Sequence, residues 1–373
     1  MSRPRTVLAD VEHIWFGPFL FLQPWALLGL LALPLLWLLL RATPVSTGLA
    51  TATANALDVA SVDNALDTID GVVDEAADSG LGLGKNGMVQ LTPTFGVFAS
   101  GQFAKVEHEG FEVSNEAFRA AGPSFDANDF SAAMSFDFNA AKHFGFDDKY
   151  GLNIGVFGGY ASTDVTLGRF QSFARVGEGT NEAGMFGAYT LFRQGVNYGL
   201  ISATAFIGQT DAVNNVLNTS GSYDTEGYAV TASAGRIFAL GDRARFDLRG
   251  GILGVTFEGG DYTDSGGNVF GKSRISFGAL KFEPGIYADY QMDNGMVFSP
   301  YARADIQQRF SYRNTSEIAG TEFDFDDADF SAAVSTGFNM RMSQATTLSG
   351  EVRGKFSVDS TTVAGKIGLK VGF

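Results

Sequence analysis

The residues best placed to do chemistry are charges arranged in two patterns. Between Asn55 and Ser79, Asp58, Asp63, Asp67, Asp70, Asp74, Glu75 and Asp78 occupy one face of a helical wheel, with no Lys or Arg in the stretch. Val59, Val62, Leu66, Ile69, Val73 and Ala76 occupy the opposite face. In the C-terminal half, Arg245, Asp247, Arg249, Arg303, Asp305, Arg309, Arg341, Glu351, Arg353, Lys355, Lys366 and Lys370 fall on the polar face of alternating segments. The chemistry implied is electrostatic. Carboxylates on a helix attract guanidinium and ammonium groups more strongly in a confined, low-dielectric space than in bulk water.

Catalytic and metal chemistry find no comparable pattern, and no catalytic residue, metal ligand or cofactor is expected. His13, His108 and His143 are the only histidines, no two share a ligand spacing, and there is no cysteine. The stretch "GLGLGKNG" (80–87) departs from a phosphate loop, with Ser79 where glycine is required and Asn86 where a magnesium-binding hydroxyl should stand; it reads as a hinge. The acids Glu322, Asp324, Asp326, Asp327 and Asp329 do not match an EF-hand and read as a solvated loop. A net charge of −15 argues against nucleic acid as a partner.

The elements that must hold these charges are strands. The composition has 47 Gly, 34 Phe, 11 Tyr and only 9 Pro. At the end of the chain Val363, Gly365, Ile367, Leu369, Val371 and Phe373 alternate with Thr362, Ala364, Lys366, Gly368, Lys370 and Gly372. The same alternation marks windows at 94–105, 129–142, 151–163, 182–193, 196–209, 224–239, 243–257, 273–291, 296–310, 328–341, 345–357 and 361–373. Most match the roughly 9–11 tilted residues of a bilayer crossing. Short connections such as "RQG", "LGD" and "MDNG" are expected to alternate with loops of about a dozen residues, as in outer-membrane barrels. The expected fold is all-β: a 12-stranded antiparallel transmembrane barrel preceded by a pore-plugging α-helix, with an apolar helix at the N-terminus. A soluble sandwich would bury the apolar faces and expose the charges.

The expected boundaries are an apolar signal or anchor at 1–44, a linker at 45–54, the acidic helix at 55–79, a hinge at 80–93 and the barrel at 94–373. Ile14 to Leu40 carries no charge and is long enough to span a bilayer. With Arg3 and Arg5 ahead of it and Ala-x-Ala sites at 50–52 and 52–54 behind, it also has the plan of a secretory signal.

Several segments carry a family resemblance: "KYGLNIGVFGGYAST", "EAGMFGAYTLFRQGVNYGLISATAFIGQTD", "YDTEGYAVTASAGRIFAL" and the closing "GKIGLKVGF". Over about residues 90–373 the chain resembles the translocator domain of autotransporters, the type V secretion family. That resemblance implies a twelve-stranded barrel threaded by a helix, conveying or anchoring an N-terminal segment at the cell surface without enzymatic turnover, here with almost no passenger. It also implies an assembly signal in the last strand, with Ile367, Leu369 and Val371 facing lipid and Phe373 read by the barrel-assembly machinery. The other implied partners are the Sec translocon, outer-membrane lipid and lipopolysaccharide, around a monomeric barrel. Residues 15–44 resemble, over a short stretch, the membrane-anchoring start of aerotolerance-regulator (Bat-like) proteins. A porin- or opacity-like adhesin acting through its loops, or a barrel lipase or protease, are the alternatives.

Overall fold

The computed structural model describes residues 44–80, 94–115, 118–147, 149–168, 175–343 and 345–373. The apolar segment, the hinge from 81 to 93, His13, Asn86 and the Bat-like resemblance lie outside the described residues.

Twelve long strands form the sheet. They are β1 (Phe95–His108), β2 (Phe125–Asn139), β3 (Tyr150–Leu167), β4 (Gly177–Gln194), β5 (Asn197–Asn214) and β6 (Thr219–Ala239). The second half comprises β7 (Ala244–Gly259), β8 (Val269–Ala288), β9 (Val297–Ile318), β10 (Phe330–Arg341), β11 (Thr346–Ser357) and β12 (Ser360–Gly372). Each pairs antiparallel with its chain neighbours. β12 also pairs with β1, from Gly96 opposite Gly372 to His108 opposite Ser360, which closes the ring. The Phe373 N–H donates to the Phe95 carbonyl at 2.8 Å. Closure satisfies the backbone polar groups that an open edge would leave bare in lipid.

Side chains alternate between the two surfaces, and the apolar set faces out. Ile367 is 63% exposed and Val363 57%, while Lys370, on the opposite face of the same strand, is 8% exposed. Phe103, Met134, Val156, Phe186, Ile201, Val230, Ile252, Leu280 and Val334 continue the same outward apolar belt around the ring. This is the inverse of a soluble sandwich and needs lipid around it.

Toward one end the outward residues turn polar: Phe103 gives way to Lys105 and Glu107, Tyr228 to Glu226 and Asp224, and Leu280 to Arg274 and Lys272. The strands continue pairing past the belt, so several segments expected as long loops are hairpin extensions instead. Only 215–218 separates β5 from β6, where the expected strands left 210–223 between them. Water tolerates the polar side chains while the backbone keeps its ladder partners. The longer connections at this end, 109–124, 260–268 and 319–329, carry short strands at Glu112–Asn115, Phe118–Ala121, Tyr262–Thr263 and Thr321–Asp326. At the other end, 195–196, 240–243 and 342–345 are tight. There 140–149 opens with a helical turn, Ala140–His143, capped by the Asn139 side chain, where the strand was expected to run on to 142.

The glycine and aromatic content has a shared cause. Phe157 lies over Gly187, Tyr189 over Gly155, Tyr198 over Gly235 and Phe206 over Gly227, each pair directly opposite on adjacent strands. A ring laid flat across a glycine covers the bare backbone and keeps the lumen wall thin.

The space so gained holds the part of helix α1 (Pro44–Gly80) from Ala52 to Ala77, where most side chains are buried. Residues 45–54, expected as a linker, are its first turns: Pro44 suits a helix start and the following Ala residues favour propagation. Gly71 does not interrupt the helix. The Lys366 chain lies against it, 3.4 Å from where a Cβ would sit.

Gly227→Val should push the Phe206 ring toward α1. We expect a loss of about 1–3 kcal/mol, as for other overpacked sites, read as a lower temperature for loss of the compact band on unheated gels.

Candidate functional site

The lumen is two-sided, and so is the helix inside it. Along β2–β8 the inner wall carries an apolar patch: Ala133, Phe157, Met185, Tyr189, Leu200, Phe206, Val255, Phe257 and Ile275 are buried in one cluster with Val62, Leu66, Ile69, Val73 and Ala76 of α1. The sequence had marked these helix positions by their spacing. The facing apolar wall escaped it, because a strand apolar on both surfaces loses its alternation.

Along β7–β12 the wall is charged. Asp63, Asp67, Asp70 and Asp74, spaced by four, three and four, make one stripe down α1. Asp63 receives Arg309 at 3.2 Å and Lys355 at 3.4 Å. Asp67 receives Arg353 at 3.2 Å, Asp70 receives Lys281 at 2.7 Å, and Asp74 receives Arg303 at 2.6 Å together with Arg249. The same cations reach wall carboxylates: Arg249 to Glu283 at 2.5 Å, Arg303 to Glu351 at 3.0 Å and Arg353 to Asp305 at 2.8 Å. The result is a continuous ladder of alternating charge between helix and wall.

The remaining charges have other surroundings. Asp58 takes hydroxyl donors, Tyr223 at 3.0 Å and Ser273 at 2.5 Å. Glu75 is buried, and the Asp78 side chain lies outside the described residues. Asp247 accepts from Tyr198 at 2.8 Å, Arg245 pairs with Asp289 at 3.2 Å, and Lys370 pairs with Asp137 at 2.5 Å. Arg341 stands exposed at the end of β10, away from the ladder. Lys281 and Glu283 are ladder members that the sequence reading missed; their period-two spacing in "LKFE" is the signal that marks them.

At the polar end, α1 passes through an apolar collar. Ala52, Ala56, Leu57 and Ala60 pack against Val106, Phe111, Val113, Phe125, Val176 and Phe325. The β4 backbone comes so close that a Cβ on Gly177 would strike Thr53, and one on Gly179 would strike Leu57 as well as the Asp211 carbonyl of β5. Asn55 and Asn314 exchange side-chain hydrogen bonds of 2.6 and 3.1 Å. Beside the collar, His108 accepts from the Gly110 N–H at Nδ1 and donates from Nε2 to Asp327 at 3.3 Å, and Arg309 reaches the same carboxylate at 2.7 Å.

Asp327 is thus a buried anchor and not part of a solvated acidic loop. Burial pushes its carboxyl up, but the hydrogen bond from His108 and the charge of Arg309 outweigh burial and hold it well below the ordinary carboxylate range. Its stabilising contribution is therefore present above that range and fades only as pH falls below it. Glu322 pairs with Arg313 at 3.1 Å, and among the described residues no three such groups converge as metal ligands.

Direction follows from these contacts. Asn55 and Asp58 meet the ends of β8 and β9 nearest the long connections, whereas Asp74 meets Arg249 and Arg303 near the tight turns. The N-terminal end of α1 therefore opens at the polar rim, and its C-terminal end lies on the side of Phe95 and Phe373.

A family model described as the autotransporter β-domain matches residues 117–353. No curated protein matches the chain. Among solved structures, the chain is similar to the translocator domain of the autotransporter NalP from Neisseria meningitidis, with a TM-score of 0.61 at 10% identity, covering 84% of this chain and 98% of that one. It is also similar to the transport unit of the autotransporter AIDA-I from Escherichia coli, with a TM-score of 0.58 at 15% identity, covering 82% and 98%. The β-domain of the Bordetella autotransporter BrkA gives 0.50 at 15% identity, covering 74% and 100%.

Reversing Arg353, Lys355 and Lys366 to Glu sets like charges against Asp63, Asp67 and Asp74. Breaking one buried pair costs about 3–5 kcal/mol, so the triple variant should lose its hold on α1. Planar-bilayer conductance is expected to rise well above wild type, and an unchanged current would contradict the ladder's role.

Proposed function

The chain belongs to the autotransporter β-domain family, and from that premise we propose that it carries its own N-terminal segment through the outer membrane and then holds it at the cell surface with α1 as the plug. The observation carrying this reading is the direction of α1: its N-terminal end opens at the polar rim, where the strands outgrow the apolar belt. The end of α1 near Asn55 faces the polar rim, and the end near Asp74 faces the rim where β1 begins. The barrel works without turnover, as a conduit and an anchor.

The same reading assigns the partners. The apolar belt contacts lipid, and the polar rim above it meets lipopolysaccharide. The closed ring acts as a monomer. The apolar segment at 14–40 takes the chain to the Sec translocon, and Phe373, 72% exposed beside Phe95, offers the assembly machinery an aromatic contact.

An epitope inserted just ahead of Pro44 tests the transport. It should be reached by antibody on intact cells; detection only after the outer membrane is permeabilised would refute the reading. Deleting Phe373 should lower the amount of heat-modifiable barrel in the outer membrane several-fold, with unfolded chain accumulating in the periplasm.

A further inference from the structure

We propose that the lumen is a charge-selective receptor: with α1 displaced it passes anions in preference to cations, and it accepts acidic amphipathic helices from outside the chain. This rests on the transport reading for its biological use, but the selectivity belongs to the wall itself. Six wall cations line the ladder, Arg249, Lys281, Arg303, Arg309, Arg353 and Lys355, against four wall carboxylates, Glu283, Asp305, Glu351 and Asp327. That excess of two is more than covered by Asp63, Asp67, Asp70 and Asp74 of α1. Lys355 pairs with Asp63 and with no wall carboxylate within 4 Å among the described ion pairs.

Removing the helix leaves an excess of positive charge in a narrow tube with low-dielectric walls, where field lines are focused onto whatever enters. Chloride and carboxylates are drawn in, and potassium is repelled. The opposite wall adds a second requirement. Phe157, Met185, Phe206 and Val255 stay bare unless an apolar stripe covers them, so an acidic coil fits less well than an acidic helix with a greasy face. Two wall textures thus specify one class of occupant.

The test uses the full chain in planar bilayers under a potassium chloride gradient, opened by two independent routes. Asp63→Asn, Asp67→Asn, Asp70→Asn and Asp74→Asn in combination strip the helix of its attraction and leave the wall untouched. Gly177→Leu, whose added carbons meet the Thr53 side chain before any other atom, displaces α1 sterically and leaves every charge in place. Compact mobility on unheated gels shows which variant has folded. In each folded variant the conductance should exceed wild type, and the reversal potential should move toward that of chloride. Adding Lys281→Gln, Arg353→Gln and Lys355→Gln should abolish that displacement. A synthetic peptide of residues 49–80 should then block the open channel, and the same peptide with Lys at 63, 67, 70 and 74 should not.

Openings that are unselective or cation-selective, equal block by both peptides, or no opening by either route would overturn the proposal. Failure of the surface-epitope experiment would remove the transport reading and leave the measured selectivity standing.

Discussion

Charges shut inside a membrane barrel must be neutralised by partners within reach, and most of this molecule follows from that constraint. Isolated buried ions cost several kcal/mol each. The wall of β7–β12 carries Arg249, Lys281, Arg303, Arg309, Arg353 and Lys355, and its own carboxylates answer only part of that charge. The acidic stripe of α1 supplies the rest. Helix and wall are therefore not separable parts; each is the other's counter-ion.

The neutralisation needs a tube of the right bore. A twelve-strand ring leaves room for one helix only if the wall on the other side is thin, and the rings of Phe157, Tyr189, Tyr198 and Phe206 lying over opposing glycines provide that. The apolar contact then presses the acids of α1 toward their cations. At the rim, Gly177 and Gly179 allow β4 to approach Thr53 and Leu57, closing the collar around the helix. Attraction on one side and packing on the other act as a single clamp.

Much of this was legible in the sequence. Period-two alternation located all twelve strands, most plainly where lipid outside and charge inside give the cleanest contrast a strand can show. The acidic helix and its apolar face were legible for the same reason. Four things were hidden. Strand ends beyond the belt looked like loops, since water on the outer face erases the alternation, as at Thr219–Thr225. Residues 45–54 looked like a linker, since the small side chains of Ala52, Thr53 and Ala54 that the tight collar requires leave no apolar stripe to read. The apolar lumen wall on β4 and β5 was masked by apolar residues on both faces. Asp327, read as solvated, needed the fold to bring His108 and Arg309 beside it.

The central claim is that α1 occupies the lumen of the assembled barrel as its counter-charge. The chain lacks cysteine, so Asn55→Cys with Asn314→Cys places a single pair of thiols where two side chains now exchange hydrogen bonds. Treating intact outer membranes with a short thiol-reactive bifunctional reagent should join helix to wall in most molecules, giving a band of altered mobility absent from either single variant. Rapid labelling of both thiols by a bulky water-soluble maleimide, with no cross-link, would show a lumen without its helix and contradict the account.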